Sequence, residues 1–152
     1  MLIIILITFV TNGTNILKGK KSLLDTNLFI YLFESHPDYQ EKVAELIQHL
    51  DSIRCEIITS ELTLAECLVK PFADKDVGSQ DHYENNIKTS DFLKVMSVSR
   101  NTLIKAAELR GLYKNKLPDS IHLASAIEHN CDVFVGNDKR IKIGSEINIF
   151  TL

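Results

Sequence analysis

LPDSIHLASAIEHNCDVFVGND, residues 117–138, is the stretch from which the rest of the chain is read. It opens with Pro118 and Asp119, a proline and an acid that both suit a free helix N-terminus. Alanines and serines follow, so one face of this helix can lie close against a neighbour. The second half, CDVFVGND, is a short apolar run with a turn behind it, the pattern of a buried strand. Asp119 therefore heads a helix, and Asp138 follows the end of a strand.

The same alternation extends towards both ends of the chain. KSLLDTN gives a short strand ending at Asp25, and CEIITS, rich in β-branched residues, gives a second. Between them Tyr39, Val43, Leu46, Ile47 and Leu50 recur with helical spacing over 37–50. Ser60 is placed to cap the helix ELTLAECLVK, which Pro71 terminates. Residues 72–80 read as a polar loop, 81–94 as a weakly amphipathic helix, VMSVS as a third strand and 100–115 as a helix with basic flanks. The Pro118 helix runs to His129, CDVFVGND is the fourth strand, and INIFTL is a candidate fifth. Strands alternating with helices at this spacing imply crossovers that cover both faces of a sheet. The expected fold is α/β, a three-layer α/β/α domain with a mainly parallel central sheet, over residues 21–152.

Composition sets the outer limits. A chain of 152 residues is about one domain and can bury a real core. With 17 Lys and Arg against 20 Asp and Glu, the net charge is −3. That argues against nucleic-acid binding by bulk charge, but not by a local basic rim. Cys55, Cys67 and Cys131 show neither a CxxC pair nor a metal-ligand spacing with histidine, which argues against zinc and for a reducing compartment. The opening MLIIILITFV is apolar but far short of the ~20 residues that cross a bilayer. It also lacks a basic leader and a cleavage site. Residues 1–20 are read as an N-terminal extension, a short apolar stretch and a polar linker, on a cytoplasmic protein that does not enter a membrane.

In a parallel α/β sheet the working crevice lies at the carboxyl ends of the strands. Asp25 directly follows the first strand and Asp138 the fourth; Asp132 lies at the opposite end of the fourth strand and is set aside. Asp119 opens a helix that enters a strand at its far end, so its first turn hangs over the same carboxyl edge. Glu61 and Glu66 lie on the helix leaving the second strand, and position alone does not choose between them. Singly, each acid reads as an ordinary turn or cap residue. Together they are expensive: two carboxylates about 4 Å apart repel by about 4 kcal/mol at an effective dielectric of 20. Such a rim takes up protons or recruits cations. Oxygen donors without Cys or His point to magnesium or manganese. An ion so held lowers the pKa of bound water and stabilises charge on a phosphoryl oxygen, which are the needs of phosphodiester hydrolysis.

At these residues the chain resembles the PIN-domain nucleases, in particular the VapC-type toxin ribonucleases of prokaryotic toxin–antitoxin pairs. The stretches that carry the resemblance are LLDTNLFIYLFE, TSELTLAECLVKP and LPDSIHLASAIEHNCDVFVGND, within residues 21–152. The resemblance implies an endoribonuclease dependent on Mg2+ or Mn2+, with Asp25, Glu66, Asp119 and Asp138 as its acidic quartet. It selects Glu66 over Glu61, and makes Asp25 and Asp119 the firmest metal ligands. Glu66 and Asp138 then complete the site directly or through water, and Asn137 is placed to orient a carboxylate or water. It also implies an antitoxin that blocks the site, and a homodimer.

Around the quartet, Thr26 and Asn27 can bond metal-bound water or stabilise the turn. His122 reads as a buried structural histidine rather than a base. Candidate phosphate contacts are Lys20, Lys21, Lys70, Arg100, Arg110, Lys114, Lys116, Lys139, Arg140 and Lys142, with Lys139 and Arg140 the first choice for RNA. An aspartate-nucleophile phosphatase would want a second aspartate where Asn27 stands, and a receiver-type domain would want a lysine near the last strand. The alternative from another class is a non-catalytic PIN module that binds RNA or a protein partner.

Overall fold

The structure, a computed structural model, describes residues 18–152. The reading of residues 1–17 as an extension falls outside them. The elements in order are β1 (Lys21–Leu24), α1 (Thr26–Phe33), α2 (Gln40–Ser52), β2 (Glu56–Ser60), α3 (Glu61–Ala73), α4 (Val77–Asn86), β3 (Leu93–Met96), α5 (Arg100–Tyr113), α6 (Leu117–Glu128), β4 (Val133–Gly136) and β5 (Asn148–Thr151). The five strands form one sheet in the order β3-β2-β1-β4-β5. Every neighbouring pair is parallel.

Side chains of a strand point alternately to its two faces, and in the central strands both sets are apolar. Leu24, Ile57, Val133 and Val135 face a core completed by Leu28 and Phe29 of α1, Val43, Leu46 and Leu50 of α2, Cys67 of α3 and Tyr83 of α4. Leu23, Ile58 and Phe134 face the other core, with Ala106 and Leu109 of α5 and Leu123, Ala124 and Ala126 of α6. The three layers therefore follow from strands that are apolar on both sides, the mark of a parallel sheet covered on each face. The buried alanines of α5 and α6 let these two helices lie close, as the small residues of 117–126 suggested.

The chain moves outward from β1 to β2 and β3, then returns through α5 and α6 to place β4 on the other side of β1. The order thus reverses between β1 and β4, and a crevice opens there beyond the strands' carboxyl ends. Asp25 follows one of these strands and Asn137 and Asp138 the other.

The fold departs from the sequence reading in several elements. The residues after Asp25, TNLFIYLF, are assigned no element by the sequence reading and form helix α1 despite their strand-favouring side chains. Burial of Leu28 and Phe29 overrides that local preference. Helix α3 runs through the buried Pro71 to Ala73 rather than stopping at it. The next helix begins within the expected loop, because Asp76 caps it by accepting from the Ser79 backbone N–H at 3.0 Å and the Ser79 hydroxyl at 2.6 Å. The third strand lies two residues earlier than read. Ser99 is free of it to form a capping box with Thr102 at the start of α5.

Phe134 is fully buried in the middle of the sheet, whereas Phe92 is 47% exposed. Phe134→Ala is expected to cost about 3–5 kcal/mol of unfolding free energy, and Phe92→Ala about 1 kcal/mol or less. Urea denaturation measures both, and equal losses would contradict the layer assignment.

Candidate active site

Asp25 occupies the N-cap position of α1 but makes no side-chain cap bond, so its carboxylate is not spent on the helix. It is 4% exposed, and its backbone N–H donates to the Val135 carbonyl at 2.9 Å, which ties the end of β1 to β4. Asn27 offers Nδ2 to Oδ2 at 3.4 Å, and His122 Nε2 lies 3.7 Å from Oδ1. Burial pushes the Asp25 carboxyl up to about 6, and the charges of Asp119 and Glu66 add to that. His122 and the Thr26 backbone N–H oppose it.

Gly136 lies against Asp25 and Phe134, and the tighter of these contacts is the one to Phe134. A Cβ there would stand 3.4 Å from Asp25 Cβ and Oδ2 and 3.2 Å from Phe134 Cε1. Sequence reasoning passed over this glycine. The signal was a glycine closing an apolar strand just before the last acid, where backbone must come close to something.

Glu66 reaches the crevice from the second turn of α3, while Glu61 at the head of that helix is exposed. Helical rotation separates the two acids that strand position could not. Glu66 Oε1 accepts from the Thr26 hydroxyl at 2.6 Å and from His122 Nε2 at 2.7 Å. Burial raises its carboxyl, but the bonds from His122 and Thr26 outweigh that and hold it below the usual range, so it stays ionised.

Behind Glu66 lies a connected set of buried polar groups. A proton on His122 Nε2 leaves Nδ1 to accept from the Ser60 hydroxyl at 3.3 Å, an assignment made from the hydrogen-bond network. Ser60 was expected to cap α3. It stands at the cap position but makes no side-chain cap bond, its hydroxyl being engaged with His122. Thr59 donates to the Leu24 carbonyl at 2.9 Å and contacts Thr63 at 2.7 Å, which fixes α3 against β1. His122 thus has partners on both ring nitrogens at 1% exposure and serves to hold Glu66.

Asp119 sits half-buried in the first turn of α6. Burial raises its carboxyl, Asp138 and Glu66 add to the rise, and His122 and Lys116 oppose it. Asp138 behaves in the opposite way. Arg140 donates to it from Nε at 2.9 Å, from NH2 at 2.7 Å and from its backbone N–H at 2.9 Å, pulling the carboxyl down to about 2.

Asn137, expected to orient a carboxylate or water, donates Nδ2 to the Tyr31 hydroxyl at 3.1 Å. Tyr31, which sequence reasoning missed, stacks on Tyr39 with ring centroids 4.7 Å apart. Lys139 is exposed beside Asp138.

The four acids are linked through their charges: Asp119 and Glu66 raise Asp25, and Asp138 and Glu66 raise Asp119. They do not form a finished cage: among the described residues no group of three or more His, Cys, Asp or Glu side chains is gathered tightly enough to hold an ion. Two of the acids are pushed towards protonation, one is held ionised by hydrogen bonds, and one is neutralised by an arginine. Such a site is short of positive charge on the Asp25–Asp119 side.

The PIN domain family model matches residues 22–144, a span that contains all four acids. No curated protein matches the sequence. Solved structures of the same fold include VapBC2 from Rickettsia felis bound to a DNA fragment from its promoter. It is 20% identical, with 87% of this chain and 98% of that chain covered and a TM-score of 0.69. A toxin–antitoxin complex from Klebsiella pneumoniae is 23% identical over 86% and 96% of the two chains, with a TM-score of 0.64. Mycobacterium tuberculosis VapC20, described as a sarcin–ricin loop cleaving toxin, is 13% identical over 82% and 92%, with a TM-score of 0.61. At these identities the likeness is one of fold. The family match, together with the parallel sheet and the acids at its carboxyl edge, places this chain in the PIN domain family.

Proposed function

We propose that the protein is a divalent-metal-dependent endoribonuclease, and that it is the toxin of a type II toxin–antitoxin pair. The observation that supports this most is that Asp25 and Asp119, far apart in the sequence, both have carboxyls raised by burial and by neighbouring acids, Asp119 and Glu66 acting on Asp25, and Asp138 and Glu66 acting on Asp119. All four acids offer hard oxygen donors, which suit Mg2+ or Mn2+. Asp25 and Asp119 would hold the ion, with Glu66 and Asp138 completing the site directly or through water. Bound there, the ion would supply an activated water and a counter-charge for the phosphoryl oxygens.

The chain's own residues prepare that chemistry. His122 and Thr26 both bind Oε1 of Glu66, so they fix the carboxylate and leave Oε2 without a protein donor among the described residues. That oxygen is available to the ion or to the attacking water. Asn27 steadies Asp25. Arg140 must release Asp138 before that carboxylate can serve an ion, and its exposed guanidinium is then near enough to meet a phosphate. In-line attack of water on phosphorus would break the bond to the 3′ oxygen, which takes up a proton. The products would be a 5′-phosphate and a 3′-hydroxyl.

An antitoxin partner is supported by neighbours solved as toxin–antitoxin complexes, and a homodimer is part of the same reading. Cys55, Cys67 and Cys131 are buried and unpaired, in keeping with a reducing cytoplasm. Among the described residues no helix is long and apolar enough to cross a membrane.

One observation favours the second reading, a non-catalytic module that binds RNA or protein: Asp138 is already satisfied by Arg140. Cleavage of total RNA separates the two. The wild type should cut RNA in Mg2+ and stop in EDTA, and Asp25→Asn and Asp119→Asn should each slow cutting by about two to three orders of magnitude, as for loss of a preorganised charge-stabilising group. Equal cutting by all three proteins would remove the proposed mechanism. Intact RNA and no manganese uptake by the wild type would favour the module.

A pH test follows from the same charges. Asp25 binds its proton more tightly folded than unfolded, so folding stability falls as pH rises from about 4 to about 6 and then levels. Above that window the ion-free protein carries a penalty of about 3 kcal/mol. Asp25→Asn should relieve it, and be more stable than wild type at pH 7 without divalent metal but not at pH 4. Denaturant unfolding at the two pH values checks this, and a variant less stable at both would contradict it.

A further inference from the structure

A cleft of about 370 Å³ runs from Asp119 and Asp138 along the turn between α5 and α6 and the loop after β4. Its size lies within the about 300–1,000 Å³ of ligand pockets, room for a nucleotide unit of a single strand. Away from the acids it is basic, with Lys114 and Lys116 on one wall and Arg140 and Lys142 on the other.

The two walls are fixed to each other. Asn115 is 7% exposed and bonds the Lys142 backbone in both directions. Its Nδ2 donates to the Lys142 carbonyl at 2.6 Å, and its Oδ1 accepts from the Lys142 N–H at 2.9 Å. Arg110 secures the same turn by donating to the Asn115 carbonyl at 3.0 Å. Tyr113 closes the far end, its hydroxyl lying where a Cβ on Gly144 would stand 2.5 Å away. A larger residue at 144 would have to push the tip of Tyr113 aside. The cleft is therefore built by buried polar bonds and a close backbone approach, and is not a chance gathering of surface lysines.

Its charges also point to an anion. Four cations, Lys114, Lys116, Arg140 and Lys142, face two acids, Asp119 and Asp138, and Arg140 is already paired with Asp138. Among the described residues, Lys114, Lys116 and Lys142 have no carboxylate within ion-pair distance, as is also true of Lys42, Lys75, Lys88 and Lys139; what sets the first three apart is that they line one cleft. Lys116 lies near enough to both acids to oppose the rise at Asp119 and add to the fall at Asp138. A polyanion repelled by the acids finds its counter-charges one step along the same cleft.

We propose that this cleft seats the phosphate backbone of the RNA strand on one side of the bond to be cut, with Lys116 and Lys142 as its principal phosphate contacts and Asn115 as the positioning residue that joins them. The inference rests on the nuclease reading for the identity of the strand, but its test reads binding alone. A short fluorescein-labelled oligouridylate is titrated with full-length protein in calcium, the probe being checked as uncut, and anisotropy is followed over a range of salt. Lys116→Gln and Lys142→Gln should each weaken binding several-fold and lower the slope of log affinity against log salt by about 0.7, as expected for one lost contact to single-stranded nucleic acid. The double variant should lower the slope by about 1.4. Lys88→Gln, an exposed lysine in the connection between α4 and β3, should change neither. Thermal melts confirm that each variant folds.

Wild-type affinity and slope in the double variant would overturn the proposal, as would failure of the wild type to bind the oligonucleotide. Lysine-dependent binding by a protein that never cuts RNA would uphold the cleft while sinking the catalytic reading. Cutting that persists with binding indifferent to both lysines would do the reverse.

Discussion

A carboxylate buried at the end of a central strand is the constraint around which this molecule is arranged. Asp25 is held there by its backbone bond to Val135. It can neither turn into solvent nor find a full positive partner in the protein. Parallel sheet topology makes the position unavoidable, because the reversal of strand order between β1 and β4 opens a crevice where their carboxyl ends stop. Every other acid of the site is then judged by what it adds to that unmet charge. Asp119 and Glu66 increase it, and His122 reduces it.

The neighbouring residues divide into those that are fixed and those that can exchange partners. Glu66 belongs to the first kind, locked through His122 and Thr26 to hydroxyls that run back to β1 and β2. Asp138 belongs to the second. Its partner Arg140 is on a solvent-facing loop, and an ion pair in that setting is screened and readily exchanged. A rigid half and an exchangeable half suit the proposed function, in which the site admits a polyanion, a cation and water and then releases its products. The cleft clasped by Asn115 continues the exchangeable half along the surface.

Much of this was legible in the residues themselves. Strand alternation followed from short apolar runs with polar stops, and the acids at those stops marked the crevice edge before any coordinates. What escaped reading was whatever depended on contacts between distant segments. TNLFIYLF carries strand-favouring side chains, and only packing against α2 and the sheet makes it a helix. Glu66 could not be told from Glu61 by strand position, because the distinction is one of helical rotation. The bond from the Asn137 amide to Tyr31 could not be read from either residue alone. Ser60 looked like a cap until a histidine 62 positions away claimed its hydroxyl. Gly136 and the Asn115 clasp carry no local signature beyond their residue type. Their meaning lies in what stands opposite them.

On the proposed function, the crevice between β1 and β4 is electrostatically unfinished until a divalent cation completes it. Crystals of the protein grown in manganese and measured near the manganese absorption edge test this most directly. An anomalous peak is expected between Asp25 and Asp119, with Glu66 within reach directly or through one water. Manganese bound elsewhere on the molecule, with that crevice holding no ion at a saturating concentration, would contradict it.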